Sequence, residues 1–381
     1  MRAVFARLHC WVGLTTAGFL AIAGLTGSLI VFYQELDRAL NPDLFNAPVT
    51  AQRVSPSTLA ARVEAQLPGT HVTMLSIPAA GRASEVWVSG KALAYDQVFA
   101  DPATGNVLGK RKWGEAGLSR PNLMPMIYLF HYSLKLPGVW GVLLMGVIAC
   151  LWSIDCFVAF VLTLPRGAPF WSKWQTSWRI KRGASAYRLQ FDLHRAGGLW
   201  LWAVLFILAT SSVALNLPEQ VFRPLLKTFT PLSPTYGDLH PPAVARAPRL
   251  SFDDALRLAG EMDRPQWVFR EPGAVGVSYG ARGDKGLDGF GLSTIVFDDQ
   301  TGARLLHQQA GRGRLADIYA GMQYQLHSGR ILGWPGRILI CLAGLAVATL
   351  SVTGIVIWLR KRNARIVTRR RHVATSYAAS R

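Results

Sequence analysis

The chain has 381 residues, of which 50% are apolar, 13 are Trp and only 17% are charged. This composition excludes an average soluble protein of the same length. The formal charge of +19 does not indicate a nucleic-acid-binding protein, because Lys and Arg are not gathered in one compact polar domain. A membrane protein is therefore expected, with lipid as a partner and no nucleic acid.

Four stretches that are nearly free of charge are long enough to cross a hydrocarbon core of about 30 Å as α-helices. They lie at residues 10–33, 138–164, 196–217 and 338–359. The first stretch is too long for the apolar region of a signal peptide, and no small-residue cleavage site precedes Gln34. It is predicted to be a retained membrane anchor.

The distribution of basic residues predicts the orientation of the chain. The short segments 1–9, 165–195 and 360–381 carry 2, 7 and 8 Lys and Arg residues, against 10 and 14 in the much longer segments 34–137 and 218–337. Because short basic segments stay in the cytoplasm, both termini and the middle loop are expected there. The predicted parts are residues 1–33 (N-terminus and first transmembrane helix), 34–137 (first external domain), 138–164 (second helix), 165–195 (cytoplasmic loop), 196–217 (third helix), 218–337 (second external domain), 338–359 (fourth helix) and 360–381 (basic tail).

The cysteines exclude two kinds of covalent chemistry. All four lie in the predicted spans, at Cys10, Cys150, Cys156 and Cys341. Disulfide bonds are therefore not expected in the external domains. The chain also has no Cys-x-x-Cys-His motif, which excludes covalent attachment of a c-type haem.

The second half of the chain repeats the first at an offset of about 190 residues, which indicates an internal duplication. The matching motifs are Leu8-His9-x-x-x-Gly13-Leu14 with Leu193-His194-x-x-x-Gly198-Leu199, Asp101-x-x-Thr104-Gly105 with Asp298-x-x-Thr301-Gly302, and Pro137-Gly138 with Pro335-Gly336. Each external domain is predicted to be α+β. The expected helices lie at residues 57–67 and 251–260, and the expected strands at 72–77, 85–89, 95–101, 267–271, 274–279 and 294–298.

Four of the eight histidines occupy equivalent places in this repeat, and they form one pair at each membrane face. His9 and His194 lie at the cytoplasmic ends of the first and third spans, and His131 and His327 at the external ends of the second and fourth. Two imidazoles from facing helices can bind one haem iron as axial ligands. A single histidine at a helix end is more often interfacial or capping, but symmetric pairs favour haem. A zinc or di-metal centre is less favoured, because no carboxylate repeats with the histidines.

Several cations and one carboxylate lie near the predicted haem sites. We expect cations near each face to pair with haem propionates. The candidates are Arg7 and Arg195 on the cytoplasmic side and Lys135, Arg330 and Arg337 outside. These cations also fit plain interfacial positions. Asp155 is the only carboxylate deep in a span, where it either serves function or is protonated and hydrogen bonded.

At these motifs, together with Leu326-His327-Ser328-Gly329-Arg330, the chain resembles the PepSY-associated transmembrane family of iron-regulated inner-membrane proteins. The resemblance covers nearly the whole chain. It implies a multi-pass protein of the bacterial inner membrane whose external domains are PepSY-like and face the periplasm. It also implies that His9/His194 and His131/His327 are axial ligands of two b-type haems. Members of the family include ferrisiderophore reductases of the ferrioxamine-linked type.

The expected function is therefore an electron conduit that reduces a ferric siderophore in the periplasm. Hard oxygen ligands hold Fe(III) much better than Fe(II), so reduction releases the iron. The cytoplasmic sequence is too short for a flavin or nicotinamide domain, so electrons are expected from a quinol or another protein. Two alternatives stay open: a haem-free scaffold whose PepSY-like domains bind or inhibit periplasmic proteins, and a transporter of the chelate or of iron.

Overall fold

The computed structural model describes residues 1–50, 52–239, 247–262, 264–280 and 289–379. Its α-helices, in chain order, are α1 (Arg2–Ile30), α2 (Tyr33–Leu40), α3 (Pro42–Phe45), α4 (Pro56–Gln66), α5 (Arg120–Ser133), α6 (Trp140–Thr163), α7 (Phe170–Trp174), α8 (Ala186–Trp200), α9 (Trp202–Asn216), α10 (Arg223–Lys227), α11 (Phe252–Ala259), α12 (Leu315–Gly321), α13 (Gln323–Ser328) and α14 (Gly333–Ala379). The strands are β1 (Thr70–Ser76), β2 (Ser84–Gly90), β3 (Gln97–Ala100), β4 (Val107–Arg111), β5 (Pro265–Glu271), β6 (Ala274–Tyr279), β7 (Ser293–Asp298) and β8 (Arg304–Gln308).

The chain divides into two compact units, and each is built from both halves of the sequence. The helical unit contains Met1–Val31, His131–Pro218 and Ile338–Arg381. The sheet unit contains Phe32–Phe130 and Glu219–Arg337. The apolar spans therefore fold together in one unit, and the connections between them form the other.

In the helical unit, three described helical stretches are long and apolar enough to cross a membrane: Arg2–Ile30, Trp140–Thr163 and Arg330–Thr368. They contain most or all of the first, second and fourth predicted spans. Helix α14, which contains the fourth predicted span, continues beyond residue 359 through the basic tail to Ala379. These apolar helices confirm the expectation of a membrane protein.

The third predicted span, residues 196–217, is not one straight helix. The helix breaks at Leu201, and α8 and α9 meet there at an angle of 69°. The indoles on either side of the break have different acceptors: Trp200 Nε1 donates to the carbonyl of Trp178 at 3.0 Å, and Trp202 Nε1 to the carbonyl of Cys156 at 2.8 Å. The glycine pair just before the break weakens the helix. Together α8 and α9 are long and apolar enough to cross a membrane, so the third candidate span is a bent pair of helices and not one continuous helix.

Helices α1 and α14 approach each other closely through small residues. A Cβ atom on Gly24 would overlap the carbonyl oxygen of Gly344. The Ser28 hydroxyl lies 2.8 Å from the carbonyl oxygens of both Gly24 and Cys341. Small residues let membrane helices pack backbone against backbone, where no hydrophobic effect drives their association.

In the sheet unit, eight described strands form one antiparallel sheet in the order β4-β3-β2-β1-β5-β6-β7-β8. Strands of the two chain halves meet at β1 and β5, where Leu75 is paired with Val268. The sequence predicts two α+β domains, whereas the structure joins both segments in one sheet. Pairing β1 with β5 satisfies two strand edges that separate domains would leave open.

Helices α4 and α11 cover one face of this sheet and close its hydrophobic core. Fully buried valines from both halves meet there: Val63, Val86, Val98, Val268, Val275 and Val277. The two helix N-termini are capped reciprocally, because Asp253 accepts hydrogen bonds from Ser55 Oγ and from the Ser57 backbone, while Ser57 Oγ accepts one from the Asp253 backbone. The two halves therefore share both a core and their helix caps.

A buried ion pair ties α2 to the outer part of the sheet. The Arg111 guanidinium donates to both carboxylate oxygens of Asp37, at 3.0 and 2.8 Å, and the two side chains are 2% and 1% exposed. Gln97, Asn41 and the carbonyl of Pro121 bind the remaining groups of the pair. A buried ion pair with further hydrogen bonds is costly to break, because one charge is then left without a counter-ion.

We expect Asp37→Asn to lower the free energy of unfolding by about 3–5 kcal/mol, because Arg111 then becomes an unpaired buried cation. Thermal unfolding of the detergent-purified protein, followed by circular dichroism, measures the change. The control is Asp43→Asn, which removes an exposed ion pair with Arg120 and is expected to cost less than about 1 kcal/mol. Equal stability of the two variants would contradict the prediction.

Candidate functional site

The structure brings His9 and His194 together in the helical unit. His9 lies near the start of α1, and His194 lies in α8. Their ring centroids are 6.1 Å apart, and the ring planes are inclined by 57°. Residues that are 185 positions apart in the chain therefore form a pair of facing imidazoles, as the sequence repeat predicts.

This spacing fits two imidazoles that bind one metal ion from opposite sides. Two metal–nitrogen bonds of about 2 Å each, plus about 1 Å from each nitrogen to its ring centre, give a centroid distance of about 6 Å. The observed 6.1 Å agrees with that value. The ring pair therefore fits the axial ligands of the predicted haem iron.

His9 is fixed by a carboxylate from a neighbouring helix. Its Nδ1 lies 2.9 and 3.0 Å from the two oxygens of Asp155 in α6, whose side chain is 11% exposed. A carboxylate oxygen accepts, so this contact assigns a proton to Nδ1, and in the neutral imidazole the lone pair is then on Nε2. Within the described part of the chain, Nε2 of His9 has no hydrogen-bond partner. The Nε2 atom is therefore available to a metal.

His194 is fixed by a hydroxyl. Its Nδ1 lies 3.1 Å from Oγ1 of Thr353 in α14. That hydroxyl is 2.8 Å from the carbonyl oxygen of Thr349, to which it donates, so its oxygen is left to accept the imidazole proton. The next residue, Gly354, lets the backbone approach the ring, because a Cβ atom there would lie 3.2 Å from Cε1 of His194.

The same Thr-Gly arrangement recurs at His131. Its Nδ1 lies 3.0 Å from Oγ1 of Thr26 in α1, and that hydroxyl donates to the carbonyl oxygen of Ile22 at 2.7 Å. A Cβ atom on Gly27 would lie 2.9 Å from Cε1 of His131. Each Thr-Gly dipeptide therefore binds Nδ1 of a histidine and makes room for its ring. The sequence analysis did not single out either dipeptide. The available signal was that a Thr followed by a Gly occurs in both the first and the fourth span.

Glycines leave open space beside the His9–His194 pair. Gly13 and Gly198 each follow their histidine by four residues, so they lie on the same helix face one turn away. A Cβ atom on Gly13 would meet nothing within 4 Å, and one on Gly198 would meet only Leu350 at 4.0 Å. Almost no protein atom therefore contacts these two positions beside the histidines, which is compatible with a haem there.

Two of the predicted propionate ligands are engaged by protein groups. Arg195 donates to Asp192 at 2.9 Å and to the carbonyl oxygen of Thr176 at 2.7 Å, although its buried Nε has no partner within the described structure. Arg337 donates to both oxygens of Glu35, at 2.8 and 2.6 Å. Burial opposes ionisation of Glu35, but these hydrogen bonds outweigh it and lower the pKa of that carboxyl. These contacts do not test the candidate role of Arg195 and Arg337 at propionates, which stays a prediction.

The other predicted site residues lie in different places. Arg7 and Lys135 are exposed, and Arg330 is buried in the sheet unit. Lys135 has a φ of 57°, a left-handed conformation that is unfavourable for a residue with a Cβ atom. His131 belongs to the helical unit and His327, in α13, to the sheet unit, so their pairing stays a prediction.

The residues of this site all lie in a region that matches a known protein family. The profile of the PepSY-associated TM region matches residues 6–361. The chain belongs to the PepSY-associated transmembrane family. No curated protein matches the chain. The matched region of this PepSY-associated protein includes all four repeated histidines and the hydrogen-bonding partners of three of them.

The contact between His194 and α14 is testable in this PepSY-associated protein. We expect Gly354→Val to destabilise the protein by about 1–3 kcal/mol, because the added methyl groups overlap the imidazole of His194. Thermal unfolding measures the effect. Gly18→Val is the control, because a Cβ atom at that exposed position meets nothing within 4 Å. A Gly354→Val variant as stable as the control would show that α14 does not approach the ring.

Proposed function

We propose that this protein is an inner-membrane di-haem oxidoreductase that reduces a ferric siderophore in the periplasm and so releases Fe(II). One observation carries the proposal: His9 and His194 face each other at 6.1 Å, and Nδ1 of each is held by a side chain from another helix. Histidine ligands of metals are commonly fixed in this way, because the bond to the second nitrogen sets the tautomer and the ring orientation.

In this proposal, His9 and His194 hold the haem on the cytoplasmic side. His131 and His327 hold the haem on the periplasmic side, and that pairing enters as the sequence prediction. When bound, a haem iron between two imidazoles takes up and gives up one electron at a time. The chain's own residues supply the ligands, the room beside Gly13 and Gly198, and an apolar helical surrounding that keeps water away.

The overall reaction needs a donor on or within the membrane. A quinol gives up two electrons and two protons, and so reduces two chelated Fe(III) ions to Fe(II); a cytoplasmic reductase would supply the same electrons singly. Because Fe(II) is a softer cation, the hard oxygen donors of a siderophore hold it less tightly than Fe(III). The chelator leaves the reaction unchanged and the iron becomes available for uptake.

The orientation and the duplication are also parts of the proposal. The density of Lys and Arg supports an orientation with both termini in the cytoplasm and the sheet unit in the periplasm. Each chain half contains a helix followed by four antiparallel strands of the sheet unit, α4 before β1 to β4 and α11 before β5 to β8. This correspondence supports a duplicated chain with two PepSY-like halves.

The first experiment is an absorption spectrum of the detergent-purified protein, oxidised and then reduced with dithionite, with haem quantified per chain. We expect two b-type haems in the wild type and the loss of about one in each of His9→Ala and His131→Ala. His71→Ala is the control, because His71 is an exposed residue of β1 outside the repeat, and this variant should keep both haems.

A haem-free wild type, expressed with an adequate supply of haem, would contradict the reductase and favour the scaffold. A transporter would move labelled iron across proteoliposomes without any reductant. For the reductase, the same proteoliposomes are supplied with ferric siderophore and an Fe(II)-specific chelator outside. The chelator should then develop colour only when a reductant is present inside the vesicles.

The space beside His9 gives a separate test. We expect Gly13→Leu to lower the haem content by about one per chain, because a leucine fills the space that a Cβ atom on Gly13 would enter without contact. Gly18→Leu is the matched control, since it lies nine residues after His9 and hence on the opposite helix face. Unchanged haem content in both variants would show that the space is not used.

A further inference from the structure

The contacts described for Nδ1 of three imidazoles differ in one respect. His194 and His131 donate to the neutral hydroxyls of Thr353 and Thr26, whereas His9 lies against the carboxylate of Asp155. The two ligands of the same proposed haem therefore have partners of different charge.

Asp155 and Thr353 hold equivalent positions in the two halves of the chain. Asp155 lies 18 residues after Pro137, and Thr353 lies 18 residues after Pro335. Each contacts the equivalent histidine of the preceding repeated motif, His9 or His194. In both halves, a side chain at the same position of the repeat contacts Nδ1 of the histidine. The two halves differ because Asp155 carries a carboxylate and Thr353 a neutral hydroxyl.

A carboxylate partner changes the electron-donating strength of an imidazole. A hydrogen bond to an ionised acceptor is roughly twice as strong as a neutral one, and it raises the basicity of the other ring nitrogen. A stronger donor stabilises the oxidised, more positive state of a bound metal. Because Asp155 is only 11% exposed, solvent screens its charge weakly.

We propose that Asp155 is a positioning residue that lowers the reduction potential of the centre held by the His9–His194 pair, and so favours the transfer of electrons away from that centre. This inference rests on the proposed function. One electron lost at the cytoplasmic pair is gained at the periplasmic one, and the transfer is favourable when the first potential is the lower.

A redox titration of the purified holoprotein, followed by absorbance, tests the inference through Asp155→Asn. The amide keeps the size of the side chain and an oxygen that accepts from Nδ1, but it removes the charge. We expect one of the two haems to become easier to reduce by about tenfold in its one-electron equilibrium constant, about 59 mV, and the other to stay unchanged. Thr26→Val is the control, and it should affect only the haem that Asp155→Asn leaves unchanged.

Exchanging the side chains at positions 155 and 353 separates the effect of the negative charge from any effect of altered packing. Asp155→Thr combined with Thr353→Asp returns a carboxylate to the same pair of ligands, so the low potential should return. Unchanged potentials in Asp155→Asn with both haems bound would overturn the role of Asp155. If Asp155→Asn loses haem, Thr353→Asp alone decides: a further decrease of one potential supports the inference, and no change overturns it. A wild type without haem would instead refute the proposed function itself.

Discussion

Hydrogen bonds between an imidazole and a side chain of another helix are the constraint on which the helical unit depends. An unsatisfied polar group is costly in a membrane, so each Nδ1–H requires an acceptor, and the described acceptors come from other helices. Asp155 thereby joins α6 to α1, and Thr353 joins α14 to α8. The close approach of Gly354 to its ring follows from the same contact, and so does the distance between the two facing imidazoles.

The sheet unit depends on strand pairing between the two halves of the chain. Neither half of the chain closes its own sheet, because β1 and β5 would each present an open edge, and their pairing removes both. The reciprocal caps between Ser57 and Asp253 and the shared valine core bind the halves further. The two connections between membrane helices are thereby held in one sheet unit.

Much of this organisation is predictable from sequence, because long apolar runs and alternating strands report burial directly. The helices near 57–67 and 251–260 and the six predicted strands are confirmed. Strands β4 and β8 were missed, because as outer strands with mainly exposed or half-exposed residues they lack an apolar alternation. The acceptor of the Trp200 indole and the partner of Arg337 lie at Trp178 and Glu35, which are distant in sequence, so the sequence pattern did not identify them. The repeat predicted the pairing of His9 with His194, but it did not identify the acceptors of their Nδ1 protons.

The central claim is that His9 and His194 bind the same haem, and haem quantification in single and double variants tests it most directly. The account predicts that His9→Ala, His194→Ala and the double variant each lose the same one haem of two, because either ligand is required for one site. Each should keep the spectrum of the remaining haem unaltered. A double variant that loses two haems, or single variants that lose none, would contradict the account.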